Sequence, residues 1–526
     1  MNNHWPSTEQ MYYYAWLLFA ASIPLSKFST TLFFLLTGVF WLIHQVKTKG
    51  QRLIAVRSAA FWFAIALFSI FLIGLWNTQD FNYAFKDLNS KTPLFFLPIW
   101  AFTGPQINIQ QYRKMLYFLV LGGLTSAFLG YLNYHLLVDA SEANFRDLSP
   151  FISHIRLALV LCIAVAYMYH ELTTGNRIYR WLLLIPIICC FYYLNQLQSL
   201  TALLVLCSLA LFTFFRQTSW KQHPWLQGFA FFVFLGALSF VGFKAYQIQK
   251  LVFHEEQPPK HPELHTSNGN LYVFYLNDST TENGHLVNWY ICDEELDREW
   301  PKRSLLTLDS IVNGFPLRAT LHRYMSSRGF RKDSMGLSRM SDDDIVAVEQ
   351  GIPNWYYLEH GGLDERIYRS MWEINNMFKG ANPSHTSLSR RIFLWRLATN
   401  VIKAHFWLGV GTGDVLKAME EQHQNSPLAG YRIWRPHNQF LTVLVSGGLL
   451  ALIALLFLLS YYWQTVRKLD YLTGAGFIVI IVSFLWEDTL ENQAGCALFA
   501  ILVLVPQIFR PANRAISKGE NVENQR

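Results

Sequence analysis

The sequence predicts an all-α polytopic membrane protein with about 12 transmembrane helices and one large mixed loop domain between helices 9 and 10. Composition is the first reason: 52% of the 526 residues are hydrophobic and only 15% are charged, whereas about a quarter of a soluble domain is charged. The second is distribution, because Ala59–Trp76 and Gly448–Tyr461 carry no charge while Lys250–Arg435 is densely charged. About 20 apolar residues cross a bilayer core, so repeated runs of this kind exclude a soluble protein.

Apolar segments define the predicted spans, which are residues 11–26, 29–46, 59–76, 92–104, 115–136, 153–170, 180–196, 199–215, 225–243, 438–463, 472–486 and 494–509. The first is interpreted as an uncleaved helix, because Met1–Gln10 contains no Lys or Arg and a second span follows directly. The fourth is short and rests on Pro93–Phe102. The predicted regions are an N-terminal membrane region (1–243, about nine helices), a loop domain (244–436), a C-terminal membrane region (437–509, about three helices) and a tail (510–526).

Basic residues in the short loops predict the orientation, since Lys and Arg concentrate in cytoplasmic loops. Alternate connections and the tail contain sixteen: Lys47, Lys49, Arg52, Arg57, Arg113, Lys114, Arg177, Arg180, Arg216, Lys221, Arg467, Lys468, Arg510, Arg514, Lys518 and Arg526. The other short loops contain Lys27, Lys86, Lys91 and Arg146, with the acidic Asp80, Asp87, Asp139, Glu142, Asp147, Glu487, Asp488 and Glu491. Both termini are therefore predicted to be cytoplasmic, and removing the fourth span would destroy this segregation. Topology also explains the net charge of +7, so no nucleic-acid partner is expected.

The loop domain has a mixed pattern. Asn270–Leu276 and His285–Ile291 are rich in β-branched and aromatic residues and flanked by turn residues, which favours a hairpin. From Pro316 onward the pattern becomes helical. Cys292 is the only cysteine of this region, so neither a disulfide framework nor a cysteine-based zinc site is expected there.

Four consecutive polar residues, Ser341-Asp342-Asp343-Asp344, precede an apolar pair. They have two interpretations, a metal site or a helix N-cap at Ser341 with acidic residues in the first turn, where the helix dipole stabilises them. The N-cap is the better interpretation, because this arrangement is common at helix starts.

Two segments with candidate functional residues lie toward the predicted outer face. Arg156 opens the sixth span, where an arginine needs a partner, a polar cavity or access to the interface by snorkelling. Arg391 lies in a helical segment that leads to the glycine-rich turn Gly409–Gly413. Backbone N–H groups of such a turn can face phosphate, but no strand precedes it as a P-loop requires. Asp414, directly after the turn, is interpreted as the cap of the next helix.

A candidate base lies where the loop domain re-enters the membrane. His437 stands beside Asn438 at the start of the tenth span, and imidazole is the side chain best suited to accept a proton near neutral pH. The acidic cluster Glu487–Glu491 falls on the same predicted face, where a carboxylate can orient an imidazole or balance arginines. A hydrogen-bonded interfacial histidine is the alternative interpretation.

The order of these residues resembles the O-antigen ligase/polymerase family. Between 385 and 460 the resemblance is carried by Arg391–Trp395, Gly409–Gly413 and His437–Leu441 with Gly447-Gly448 following, and the span count and large outer loop agree along the chain. The loop is similar to that of Bacteroidetes members at Glu282–His285, Glu295-Leu296 with Trp300, Arg303-Ser304 and Thr320–Tyr324, as is Glu487–Glu491. The resemblance implies a helical membrane fold of the GT-C type in the bacterial inner (cytoplasmic) membrane. It further implies glycan transfer from an undecaprenyl diphosphate carrier on the periplasmic face, without a metal or other cofactor.

Residue roles follow from the resemblance. His437 matches the histidine that activates the acceptor hydroxyl, Arg391 matches an arginine assigned to the diphosphate, and Arg156 is a less complete match to a second such arginine. Asn438 and Glu487 are expected to support the histidine. The chemistry suits these residue types, because the guanidinium fork binds phosphate oxygens and stays charged. Aromatic residues of the loop domain, Trp289, Tyr290, Trp300, Trp355, Tyr356 and Tyr357, are candidates for stacking on sugars or for core packing.

Several functions remain open at this stage. The first choice is transfer of a lipid-linked polysaccharide to lipid A–core, as in an O-antigen ligase. A polymerase that extends the lipid-linked repeat, or transfer to protein hydroxyls, differs only in the acceptor. A transporter of lipid-linked glycan would place polar groups near the middle of the membrane and along both access routes, so it ranks lower. A structural polysaccharide-binding protein would not need His437.

Overall fold

The computed structural model describes residues 6–510, apart from 51–55, 137–144, 175–179, 198, 218–223, 255–259, 277, 279, 361–362, 380–386 and 425–432. The described chain is predominantly helical, which confirms the all-α class. It divides into two compact units. Unit 1 comprises Met1–Val138, Phe145–Ser219 and Leu394–Arg526, and unit 2 comprises Asp139–Asn144 and Trp220–Phe393.

The helices are numbered along the chain. The first nine are α1 (Thr8–Ser22), α2 (Lys27–Lys47), α3 (Ala59–Ile73), α4 (Phe81–Ser90), α5 (Thr92–Thr103), α6 (Ile109–Leu136), α7 (His154–Thr174), α8 (Leu184–Gln196) and α9 (Leu200–Gln217). They are followed by α10 (Pro224–Val252), α11 (Asp293–Glu299), α12 (Leu317–Ser327), α13 (Ser334–Ser338), α14 (Asp342–Glu349), α15 (Trp355–Glu359), α16 (Leu363–Phe378) and α17 (Ser387–Ala404). The last four are α18 (Val415–Gln424), α19 (Gln439–Val466), α20 (Tyr471–Phe484) and α21 (Gln493–Phe499).

Each of the twelve predicted spans coincides with a helical segment. Among the described residues, five helices are long and apolar enough to cross a membrane by length and composition: Lys27–Lys47, Ala59–Asn77, Ile109–Leu136, His154–Thr174 and Gln439–Val466. Thr92–Thr103, Trp181–Gln196, Thr201–Arg216, Tyr471–Phe484 and Gln493–Phe509 are shorter apolar helices. The chain is therefore a multi-pass membrane protein, whereas the number of about twelve crossings stays a prediction.

Unit 1 is a helical bundle with a continuous apolar core. α1 packs against α2 and α6, α7 packs against α6, α9 and α20, and α19 packs against α3. Large aromatic side chains fill the core, among them Trp16, Phe19, Tyr112, Tyr462 and Phe484. These helices carry apolar residues around most of their circumference, as expected where neighbours are helices on one side and lipid on the other.

Unit 2 contains two short β-hairpins and a helical core. The strands are β1 (Thr281–Glu282), β2 (His285–Leu286), β3 (Ile311–Val312) and β4 (Phe315–Pro316), paired β1–β2 and β3–β4. The predicted hairpin between 270–276 and 285–291 forms only in part, as one antiparallel bridge between Val273 and Ile291. The regular hairpin turns at Asn283-Gly284 instead, where both φ angles are positive, because an Asn-Gly pair favours the tight type I′ turn.

The helical pattern predicted after Pro316 is confirmed, since α12 begins at Leu317. The predicted N-cap is also confirmed. Ser341 Oγ accepts a hydrogen bond from the backbone N–H of Asp344, and the Asp344 carboxylate accepts one from the N–H of Ser341. The acidic run is therefore a helix start.

Residues that carried the loop resemblance hold unit 2 together internally. The buried Glu282 carboxylate accepts hydrogen bonds from Arg323 Nε at 2.7 Å and from Asn354 Nδ2 at 2.7 Å. Glu295 is likewise buried and binds three side chains from other segments. Trp300 lies in the core of the unit. These residues therefore specify the fold of the domain, and Trp300 is a core residue with no face for a sugar.

Candidate functional site

The candidate site is built around His437, immediately before α19. Asn438 is the N-cap of that helix, and its Oδ1 accepts a hydrogen bond from the N–H of Leu441 at 3.1 Å. His437 has φ +52°, a left-handed conformation that non-glycine residues rarely adopt. Asp488 stabilises it, since its carboxylate accepts from the backbone N–H of His437 at 2.8 Å and of Asn438 at 3.2 Å.

The His437 ring faces a second carboxylate. Its Nδ1 lies 3.7 Å from Glu487 Oε2; the side chain of His437 is 31% exposed and that of Glu487 9%. This distance is too long for a hydrogen bond, and the two groups form an ion pair only when the imidazole is protonated. An imidazole whose Nδ1 faces a carboxylate directs Nε2 to the opposite side of the ring, where a proton can be accepted.

Asp488 and Asn438 have supporting positions around this ring. Asp488 also accepts a hydrogen bond from Thr442 Oγ1 at 2.5 Å, so both of its oxygens are used by the start of α19. The Asn438 side-chain amide donates to the carbonyl of Leu485 at 3.0 Å. Asn438 therefore ties the start of α19 to the segment after α20, which carries Glu487.

Arg156, half-buried in the first turn of α7, is near the same carboxylates. Its Nη1 donates to Ser153 Oγ at 2.7 Å, and its Nε is buried without a hydrogen-bond partner among the described residues. The guanidinium interacts electrostatically with Glu487 and Asp488. Arg156 and His437 therefore each lie near Glu487.

Four charged residues form a buried group next to the site, called the ion cluster here, and sequence analysis had grouped only Glu491 of the four with the candidate base. The four are Asp87, Lys91, Arg435 and Glu491. Lys91 Nζ lies 2.5 Å from Asp87 Oδ2 and 2.7 Å from Glu491 Oε2. Arg435 Nη2 lies 2.7 Å from Asp87 Oδ1, and its Nη1 contacts Glu491.

The ion cluster links three parts of unit 1: helix α4, the segment that leads to His437, and the turn after Asp488. Gln439 adds to it by donating to Glu491 Oε1 at 3.0 Å. Burial raises the pKa of the Asp87 carboxyl, but the nearby Lys91 and Arg435 lower it by more, so the net pKa is lowered and the carboxyl stays ionised. The sequence offered one local signal, the i,i+4 spacing of Asp87 and Lys91. Lys91 was instead counted as a loop charge, although its side chain is fully buried.

The glycine-rich turn serves packing and offers no donors to phosphate. Its backbone N–H groups donate within the protein: Gly409 to His405 O, Val410 to Val445 O, Gly411 to Ser446 O, Thr412 to Gly74 O and Gly413 to Thr78 Oγ1. A Cβ on Gly409 would lie 2.5 Å from the backbone of Ser446, and one on Gly448, at a break in α19 (φ +67°), 2.3 Å from that of Trp407. Glycine is required here because two backbones meet.

Asp414 is the residue before α18, as predicted, and its carbonyl accepts a hydrogen bond from the N–H of Ala418 at 2.9 Å. Its carboxylate accepts from the N–H groups of Gln79 at 2.6 Å and Asp80 at 3.1 Å. It therefore stabilises the segment before α4, more than 330 residues away along the chain.

Arg391 lies in α17 and is 8% exposed. One turn further along the same helix, Trp395 Nε1 donates to the carbonyl of Pro436 at 2.8 Å, and its ring packs against Trp486 at 5.5 Å between centroids. Trp395 thereby fixes the residue before His437. Binding of a diphosphate by Arg391 stays a prediction.

The described residues contain no group of three or more His, Cys, Asp or Glu side chains arranged to hold a metal ion. Residues 361–456 match the family model described as O-antigen ligase. No curated protein matches the chain. The matched segment contains Arg391, the glycine-rich turn and His437, and it ends within α19.

Proposed function

Because this chain carries an O-antigen ligase domain, as its sequence predicts, we propose that it transfers polysaccharide from undecaprenyl diphosphate to lipid A–core. We place the reaction at the periplasmic face of the bacterial inner membrane, in a fold of the GT-C type. One observation carries the proposal: His437 lies at the start of a membrane helix with its imidazole facing the buried Glu487 carboxylate. That is where a base is needed if a donor held in the membrane meets an acceptor from the water side.

The reaction follows from the residue types. His437 accepts the proton of the acceptor hydroxyl while the hydroxyl oxygen forms a bond to the anomeric carbon of the donor sugar. The bond from that carbon to the diphosphate oxygen breaks, and undecaprenyl diphosphate leaves with the negative charge. A positioned general base typically contributes about 10²–10⁴ in rate, and the Glu487 carboxylate stabilises the imidazolium that forms.

Arginine handles the leaving group in this proposal. Arg391 and Arg156 bind the diphosphate with the planar fork that matches phosphate oxygens. Fixed cations aimed at developing charge stabilise the transition state without rearrangement. Arg156 lies near Glu487 and Asp488, so in this proposal its guanidinium stabilises the leaving group beside the partner of the base.

Hydrogen-bond partners distinguish the roles of the two adjacent carboxylates, Glu487 and Asp488. Asp488 is committed to two backbone N–H groups and a hydroxyl, whereas Glu487 faces the histidine ring. Glu487 is therefore the partner of the base, and Asp488 is the residue that fixes the backbone carrying it.

The test uses purified protein with carrier-linked glycan and lipid A–core. His437→Ala should abolish transfer and keep binding of the carrier-linked glycan, since binding rests on the arginines. Arg391→Lys keeps the charge and loses the bidentate fork, so it should impair both binding and transfer at normal expression. Full activity with unchanged carrier binding in Arg391→Lys would leave that arginine only a structural role.

The acceptor is tested in cells that lack the gene. Free lipid A–core together with long carrier-linked chains is the result expected for a ligase. Lipid A–core capped with single repeats would instead identify a polymerase, and loss of glycan from proteins would identify transfer to protein hydroxyls. Normal glycans on all three acceptors would contradict the proposal.

A further inference from the structure

A cavity of about 260 Å³ lies at the other end of α19 from His437. It is lined by Ile109, Arg113, Thr465, Lys468, Leu469, Asp470 and Phe509. α19 is broken at Gly448, and its uninterrupted part from 449 to 466 is about 27 Å long at 1.5 Å per residue, close to the roughly 30 Å of a bilayer core. The cavity therefore lies at the opposite membrane surface from the candidate base and is separate from that site.

Helix ends surround the cavity. α6 begins at Ile109, α19 ends at Val466, α20 begins at Tyr471 and the last helical turn ends at Phe509. Ends of membrane helices lie at the depth of the lipid headgroups, so a ligand of this cavity is drawn from that layer.

The polar lining contains a hydroxyl without a partner. Thr465 is 2% exposed, and its Oγ1 makes no hydrogen bond among the described residues. Buried polar groups are nearly always hydrogen-bonded, so the unsatisfied hydroxyl of a residue in the cavity wall points to a partner that a bound ligand can supply.

The charged lining favours an anion. Arg113 Nε binds the Asp470 carboxylate at 2.7 Å, and no described residue accepts a hydrogen bond from its two terminal nitrogens. Lys468 supplies a second cation, so the cavity lining carries two positive charges and one negative charge, that of Asp470. That carboxylate is already committed, because it also accepts from the N–H of Thr473 at 3.0 Å as the N-cap of α20.

We propose that this cavity binds the phosphate of an anionic phospholipid. The terminal nitrogens of Arg113 and the Thr465 hydroxyl donate to phosphate oxygens, Lys468 adds charge, and Ile109 and Phe509 contact the start of an acyl chain. Guanidinium groups bind phosphate through paired hydrogen bonds, and basic pockets between membrane helices suit anionic headgroups. A phosphate on an acylated glycerol satisfies both the polar and the apolar walls, which free phosphate does not.

Native mass spectrometry of the detergent-purified full chain tests the proposal by titration with phosphatidylglycerol, phosphatidylcholine and inorganic phosphate. Phosphatidylglycerol should bind, phosphatidylcholine should bind at least tenfold more weakly, and millimolar phosphate should not displace the lipid. Arg113→Gln and Thr465→Val should each weaken phosphatidylglycerol binding by about tenfold, the loss of a hydrogen bond to a charged group. Lys114→Gln is the matched control, because it removes the same charge from the next, exposed residue outside the cavity and should leave binding unchanged.

Three outcomes would overturn the proposal. Equal binding of both lipids would show contact with acyl chains alone, and displacement by inorganic phosphate would show a site for a soluble anion. An equal effect of Lys114→Gln would show general surface charge. If Arg113→Gln lowers the unfolding temperature because Asp470 loses its ion pair, lipid binding by Thr465→Val decides the test, since this substitution keeps the side-chain shape and every charge.

Discussion

A left-handed histidine next to two carboxylates is the residue-level feature on which the proposed function depends. At φ +52° the Cβ of His437 crowds the neighbouring carbonyl, a cost of about 1–2 kcal/mol for most residues. The two hydrogen bonds that Asp488 accepts from the backbone of His437 and Asn438 compensate for it. Strain of this kind is often found where a side chain must be aimed at a reacting group, and here the backbone aims the imidazole at Glu487.

His437 can be tested with substitutions that separate chemistry from strain. His437→Asn should lower the transfer rate by about 10²–10⁴ with little loss of stability, because Asn tolerates the left-handed region. His437→Val should lose the same activity and also about 1–2 kcal/mol of stability, since a β-branched side chain is disfavoured there. Transfer assays and thermal unfolding measure the two effects. Near wild-type transfer by His437→Asn would move the base elsewhere, first to Glu487.

At the scale of elements, α4, the segment before α19 and the turn after Asp488 are joined by the ion cluster. Its charges balance, with two cations and two carboxylates, and it connects residues up to 400 positions apart in the chain. Buried charges of this kind contribute little net stability when complete, but removal of one member leaves its partners unpaired in a low dielectric. The ion cluster therefore acts on the position of the His437 segment through Arg435, two residues before it.

Lys91→Met should destabilise the protein by on the order of 3–5 kcal/mol, the range for breaking a buried ion pair. The control is Lys86→Met, which changes an exposed lysine in α4 and should alter stability by less than about 0.5 kcal/mol. Thermal unfolding in detergent measures the difference. Equal effects of the two substitutions would show that the Lys91 ion pairs contribute nothing to stability.

A comparable polar centre in unit 2 gives a pH dependence. Burial raises the pKa of the Glu295 carboxyl, but hydrogen bonds from Ser334, Thr266 and Asn270 outweigh this effect and lower the pKa from 4.5 to about 2. A carboxyl with a lowered folded-state pKa adds stability above its unfolded pKa, and that stability is lost as pH falls through the folded pKa. The contribution of Glu295 is therefore complete above pH 4.5 and decreases from there toward pH 2.

Glu295→Gln should lower the unfolding temperature of unit 2 at pH 7. The unfolding temperature should also fall less steeply between pH 5 and pH 3 than in the wild type, because the variant lacks the carboxyl that titrates there. The measurement is tryptophan fluorescence during thermal unfolding of the full chain at pH 7, pH 5 and pH 3. Glu294→Gln changes the adjacent exposed carboxylate and should leave both properties as in the wild type. An unaltered pH profile in Glu295→Gln would assign the acid sensitivity to other carboxyls.

For the whole molecule, the contacts sort the short loops into the two groups that the charge pattern predicts. Arg113 pairs with Asp470, and Arg216 donates to the carbonyl of Arg467; all four belong to loops assigned to the cytoplasm. Lys91, Asp87 and Glu491, all assigned to the other side, meet in the ion cluster. This grouping agrees with the predicted division of the loops between two sides of the membrane, and which side is cytoplasmic stays a prediction.

Cysteine labelling tests that orientation in a variant without the six native cysteines. An impermeant thiol reagent added to the outside of spheroplasts should label Ser267→Cys in the loop domain and should not label Lys114→Cys at the start of α6. Both positions are exposed, so accessibility within the protein does not limit the reaction. Labelling of Lys114→Cys alone would reverse the predicted topology.

The sequence by itself determined the helices, the membrane class and the similarity of residues 361–456 to the O-antigen ligase family model, because each depends on neighbouring residues. An apolar run forms a helix in lipid wherever its partners lie, and the Ser341 cap and the segment around His437 are likewise local. The tertiary structure alone decided which charges meet. Lys91 pairs with Glu491, Asp414 caps a segment before α4, and the glycine-rich turn packs its N–H groups into the break of α19. The first two contacts join residues more than 330 positions apart and the third joins separate elements, and a charge or a glycine carries no local sign of such a partner.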